Sequence, residues 1–361
     1  MPSFVVTREV VNINTVQWEH ILKSGVDEWF VAKVKDINDV EYYVNPSSHW
    51  KLVDTKAPDY TSYLTLYGNE KVIAIYSKRA FMYPRVIFTL RLPDWSTLFP
   101  GEIVRELYFG LENGSGGSIA TFHLSSWPSG WGYNQLVVSV GPHRAKPWFD
   151  VMVTNMMPSD AFTAKHSYQV AITRNMAIFY IDGKPVAFDL FVSGVSPAAI
   201  RDNTPPYAIF YTPPVARSLP SLLEIASGKT STTQDISIMM SQHDIRIQEG
   251  SDTEPLVLPL YYDSSSTLMR RRSVTANTTV YSHPVPILGY SRKTIYFMAN
   301  ASGTLNVEIY TISGNWRTYD SRSYSANTLA KISITDEGLV ARISYTPTAT
   351  ATILEAEAYM S

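Results

Sequence analysis

Hydrophobic and polar positions alternate along most of this chain, and long helical stripes are scarce. The clearest stretch is YQVAITRNMAIFYIDGKPVAF, residues 168–188, where two β-rich runs flank Asp182-Gly183. A tight hairpin turn needs positive φ at both central residues, and an Asp-Gly pair meets that need. Strands are predicted at Tyr63–Tyr67, Val72–Ser77, Arg85–Arg91, Glu106–Leu111, Ile119–Leu124, Gln135–Val140 and Trp148–Val153. Further strands follow at Tyr168–Thr173, Ala177–Ile181, Tyr207–Tyr211 and Ile236–Ile247. The best helical stripe is Trp18–Phe30, with Trp18, Ile21, Leu22 and Val26 on one face, although Gly25 weakens it; Ser196–Arg201 is a candidate single turn.

The segmentation that follows has four parts. Residues 1–48 form an N-terminal extension with a strand near Trp29–Val34, and residues 49–249 form one large sandwich. The polar breaker Gly250-Ser-Asp-Thr-Glu-Pro255 opens a linker over 250–258. Residues 259–361 form a smaller β-sandwich of immunoglobulin-like or jelly-roll type, with strands at Thr304–Tyr310, Ala330–Ile334, Leu339–Tyr345 and Thr352–Met360. The fold class is all-β.

Tyr168 with Tyr180-Ile181-Asp182-Gly183 resembles a hairpin of the concanavalin A-like lectin/glucanase superfamily. The resemblance covers about residues 49–249. It implies a jelly-roll sandwich and a saccharide as the class of ligand. The C-terminal part, rich in Thr, Ser, Tyr and Asn, resembles accessory β-modules of viral surface proteins.

Sugar-cleaving members of that superfamily carry acids two apart on one strand, about 6–7 Å from each other and on one face. No E-x-D-x-E pattern occurs here. Glu102 and Glu106 are four apart, roughly 13 Å along a strand. Glu355 and Glu357 have the spacing but fall in the last strand, where a solvated face explains them. There is no G-x-S-x-G elbow and no close His pair among the 7 His residues. The glycines of ENGSGGS read as a hairpin loop. The expectation is a protein that is not an enzyme.

Charge and composition narrow the partners. A formal net charge of −2 argues against nucleic acid as partner, and Arg270-Arg271-Arg272 reads as a solvated loop. With no cysteine, disulfides, thiolate catalysis and cysteine-based zinc sites are excluded. No run approaches a membrane span of about 18 apolar residues, so no membrane insertion is expected. The first residues lack a signal-peptide pattern, so a surface role implies another route, such as release within a virion. No cofactor is expected; calcium is the one ion for which ligands can be named, from Asp150, Asp182 and Asp189.

The candidate binding loop is SSWPSGWGY, residues 125–133, with Trp148. Trp127, Trp131, Tyr133 and Trp148 offer flat apolar faces to sugar rings, and His123 and Asn134 offer hydrogen bonds to hydroxyls. The alternative is that these rings plug an end of the sandwich. The sequons at Asn113, Asn277 and Asn300 arise readily by chance in a chain rich in Ser and Thr. The strand-forming segment FVVTREVVNINTV pairs either with a neighbouring subunit's sheet edge or within its own chain. Taken together, the expected role is structural and recognitive, at a virion or extracellular surface. The expected partners are further copies, other surface proteins or a host glycan; a lectin-type module pair is the alternative.

Overall fold

The computed structural model describes residues 25–53, 61–98, 105–112, 118–127, 132–141, 149–191, 208–212, 221–230, 235–250, 256–259, 272–282 and 284–361. Sixteen strands come first among them: β1 (Phe30–Asp36), β2 (Glu41–Val44), β3 (Trp50–Val53), β4 (Thr61–Leu66), β5 (Glu70–Ser77), β6 (Pro84–Arg91), β7 (Arg105–Glu112), β8 (Ser118–Trp127), β9 (Gly132–Val140), β10 (Phe149–Met152), β11 (His166–Ile172), β12 (Met176–Ile181), β13 (Lys184–Phe191), β14 (Ala208–Thr212), β15 (Leu222–Lys229) and β16 (Ile236–Glu249). They form two eight-stranded sheets. Sheet I runs β10-β9-β8-β7-β15-β5-β1-β2, and sheet II runs β14-β13-β12-β11-β6-β16-β4-β3. Pairing is antiparallel except between β13 and β14.

The two sheets face each other across one core, because alternate residues of each strand are large and apolar. Phe109 and Phe122 of sheet I meet Tyr168 of sheet II with ring centroids 5.6 Å apart, edge to face. Phe179 of sheet II closes on Phe122 at the same spacing. All four rings are essentially buried. The final sandwich strand behaves as its alternation predicts, with Ile245 and Ile247 buried and Arg246 exposed.

The Asp182-Gly183 turn has φ of +49° and +72°, as its sequence requires. The strands around it are buried on both faces. Phe179 points into the sandwich, while Ile178, Phe188 and Leu190 point outward into a second core. That second core belongs to the C-terminal strands β17 (Leu256–Pro259), β18 (Arg272–Val274), β19 (Val280–Tyr281), β20 (Val285–Pro286), β21 (Lys293–Ala299), β22 (Gly303–Tyr310), β23 (Trp316–Tyr324), β24 (Ala330–Ser333), β25 (Val340–Pro347) and β26 (Ala351–Met360). Sheet III runs β17-β26-β21-β24 with β18 beside β26; sheet IV runs β19-β25-β22-β23 with β20 beside β25. The C-terminal sheets thus seat on the outer face of the hairpin, and Tyr290 reaches Met176 there.

The strand near Trp29–Val34 was expected ahead of the sandwich, and this is corrected. Phe30, Ala32 and Val34 are buried in the main core, and β1 pairs with β5 over seven positions, so residues 30–44 complete sheet I. Of the Trp18–Phe30 helix, residues 18–24 lie outside the described residues, and Val26–Trp29 is a single helical turn. Ser196–Arg201 and residues 251–255 of the linker also lie outside them.

Candidate functional site

The outer face of sheet I carries the densest polar chemistry. On β7, Leu107, Phe109 and Leu111 enter the core, so Glu106, Tyr108, Gly110 and Glu112 share the other face. Register then builds rows across three strands. Gly110 lies between Glu224 of β15 and Thr121 of β8; Tyr108 lies between Ala226 and His123; Glu106 lies between Gly228 and Ser125. The His123 ring stacks on Tyr108 with centroids 4.1 Å apart and planes 14° from parallel. Its Nε2 sits 3.5 Å from Glu106 Oε1, and the Tyr108 hydroxyl donates to Glu106 Oε2 at 3.1 Å.

Exposure separates these groups. Glu224 is 0% exposed, Glu112 1%, and His123 5%, whereas the Glu106 side chain keeps 32%. Glu112 and Glu224 sit diagonally on neighbouring strands, an offset of roughly 7–8 Å between such positions. The face therefore holds two sealed acids and one, Glu106, that meets solvent, accepts from the Tyr108 hydroxyl and lies beside the His123 ring.

The predicted sugar-binding residues do not converge among the described groups. His123 is buried in the stack just described. Tyr133 is half-buried and packs against the main core. Asn134, at φ +55°, braces the short helix Trp95–Leu98: its Oδ1 accepts from the Trp95 N–H at 2.8 Å, and its Nδ2 donates to Asp94 at 2.7 Å. Trp131, Trp148 and the Trp127 side chain lie outside the described set.

Asp94 heads that helix. Burial pushes its carboxyl up, but hydrogen bonds from Ser96, Asn134 and Thr97 outweigh burial and hold it down to about 2, from 3.8. A depressed carboxylate contributes stability that is full above its unfolded value and is lost as pH falls through its folded value. Asp94→Asn should accordingly flatten acid destabilisation between pH 3.8 and about 2. After solvent screening the effect is about 1 kcal/mol, read by urea unfolding across that window.

Two histidine clusters lie elsewhere. His166 bridges Asp182 through Nδ1 at 2.8 Å and Asp160 through Nε2 at 3.0 Å, and Asp182 also accepts from the Ser167 N–H. Asp182 is thus both turn former and clamp. In the other, His49 Nδ1 meets Ser48 Oγ at 2.8 Å and Nε2 meets Glu70 Oε1 at 2.9 Å. A serine nucleophile would face Nε2; here it faces Nδ1 and donates to the Asn45 carbonyl at 2.6 Å. The trio fastens Pro46–His49 to β5. Of the calcium candidates, Asp182 is engaged by His166, Asp189 is buried, and the Asp150 side chain lies outside the described set. Among the described residues no cluster of three His, Asp or Glu could hold a metal ion.

Alternation alone could have placed Glu106, Tyr108 and Glu112 together. Glu224 was missed because β15, LLEIASGK, is rich in small residues and carries a weak strand signal.

No family model matches the chain, and no curated protein matches it. Among solved structures, it is similar to LamAcat from Zobellia galactanivorans, at 14% identity over 62% of this chain and 91% of that one, with a TM-score of 0.38. A glycoside hydrolase family 16 endo-glucanase from Bacteroides ovatus matches at 10% identity over 61% and 95%, TM-score 0.39. A Crh5 transglycosylase matches at 11% over 60% and 84%, TM-score 0.34. The strand order itself makes the described chain an all-β protein, a two-sheet sandwich of eight strands each followed by separate C-terminal sheets.

Proposed function

We propose that this chain is a non-enzymatic structural and recognition protein that self-associates at a virion or extracellular surface. The observation that carries the non-enzymatic reading is the sealing of Glu112 and Glu224, at 1% and 0% exposure, beneath the face that a saccharide would have to reach. Glu106, the acid of this face with access to solvent, is held by the Tyr108 hydroxyl beside His123. Self-association takes its support from β2, the last strand of sheet I among the described residues. Its Tyr43 is 75% exposed, and Val40 beside it 55%. An edge strand that pairs on one side only among the described residues, and carries exposed apolar side chains, is a surface that another chain can extend.

A second reading, a diverged glycoside hydrolase, is favoured by one feature: Glu112 and Glu224 share a face on adjacent strands. Incubation with laminarin and mixed-linkage β-glucan separates the two. No reducing ends should appear above a buffer blank. Release that disappears in Glu224→Gln and Glu112→Gln would establish hydrolysis.

A further inference from the structure

The outer face of sheet IV holds a second polar and aromatic cluster, remote from sheet I in the chain. Glu308 of β22 and Arg342 of β25 stand directly opposite each other. Arg342 Nε donates to Glu308 Oε2 at 2.7 Å. Tyr281 and Trp316 reach the guanidinium from strands β19 and β23, on either side of the β25–β22 pair. Arg342 Cζ lies 4.5 Å from the Tyr281 ring centroid and 3.9 Å from that of Trp316. Such rings hold an arginine in one orientation and leave its edge for hydrogen bonding.

Three properties define what this cluster can take. First, the two charges cancel, so the pair offers no net attraction to an ion. Second, donor and acceptor sit side by side. Nε and Oε2 bind each other, while the terminal nitrogens of Arg342 and Oε1 of Glu308 make no other hydrogen bond among the described residues. Both side chains keep partial exposure, 18% and 16%. Third, Tyr281 is 53% exposed and presents its ring beside the pair.

A hydroxyl group both donates and accepts, and two neighbouring hydroxyls match a guanidinium beside a carboxylate. The C–H surface of a sugar ring matches an exposed aromatic face. We infer that Tyr281, Glu308 and Arg342 form a binding site for a neutral saccharide, with Trp316 fixing the guanidinium from the side away from Tyr281. Glu308 accepts from one hydroxyl of a vicinal diol, and Arg342 donates to the other. The site is separate from the self-association edge at β2 and does not depend on that reading.

The test is calorimetric titration of the full chain with neutral tetrasaccharides from β-glucan, xylan and mannan, alongside a tetragalacturonate. At least one neutral sugar should bind, and the uronate should bind more weakly. Tyr281→Ala should weaken the neutral sugar at least tenfold, on the order of one stacking contact. Arg342→Lys, which keeps the charge and loses the fork, should weaken it similarly. Tyr281 is a surface residue, so its variant should retain the wild-type unfolding curve and oligomer mass. No binding by any neutral sugar, stronger binding of the uronate, or binding unchanged in Tyr281→Ala but lost in Trp131→Ala would overturn the assignment.

Discussion

Phe122→Ala should remove about 3–5 kcal/mol of stability, the usual range for truncating a fully buried aromatic side chain. Phe122 is 0% exposed and touches both sheets. It stacks on Phe109 at 5.5 Å within sheet I and meets Tyr168 and Phe179 of sheet II edge-on. Alanine leaves a cavity among rigid rings that cannot close by a rotamer change. Phe122→Leu keeps most of the volume and should cost clearly less. Urea unfolding monitored by circular dichroism reads both variants. A loss under about 1 kcal/mol for Phe122→Ala would mean that this aromatic junction does not hold the sheets together.

Gly110→Val should be comparably damaging, for a different reason. A Cβ at position 110 would stand 2.4 Å from the Ala120 carbonyl oxygen and 2.7 Å from Thr121 Cα. These are backbone atoms of β8, so relief requires β7 and β8 to part. Parting them breaks the register that sets Tyr108 against His123. A cost of about 3 kcal/mol or more is expected, at the upper end for overpacking. The same variant should lose the Tyr108–His123 stack, visible as altered histidine shifts in NMR. Near-wild-type stability would show that the two strands are not packed this closely.

The strands of the sandwich were legible wherever alternation was strong. Val72–Ser77, Arg85–Arg91 and Gln135–Val140 fall inside β5, β6 and β9, because each places large apolar residues in the core at every second position. The hairpin at 182–183 was legible from its turn chemistry. Its second role was not: Ile178 and Phe188 look like ordinary strand residues, and nothing local says that their outward face meets Tyr290 and the C-terminal sheets. Strand β1 was recognised, but its place in sheet I depends on pairing with β5 some forty residues later, which periodicity does not encode.

The chemistry was less legible than the fold. Sequence drew attention to the aromatic loop, yet its described members are engaged in packing or bracing: Tyr133 lies on the core, and Asn134 holds Asp94 and Trp95. Of the acidic face, Glu106, Tyr108 and Glu112 share one strand and were within reach of alternation, whereas Glu224 and His123 come from β15 and β8 and join them only through register. The Arg342 cluster was invisible for the same reason, its four side chains coming from β19, β22, β23 and β25.

Native mass spectrometry of the purified full chain tests the central claim most directly, since a protein that works by self-association must form a defined assembly. The account predicts a discrete oligomer at micromolar concentration, which falls to monomer in Tyr43→Lys as a charge enters the β2 edge. A wild-type chain that stays monomeric across that range would contradict it.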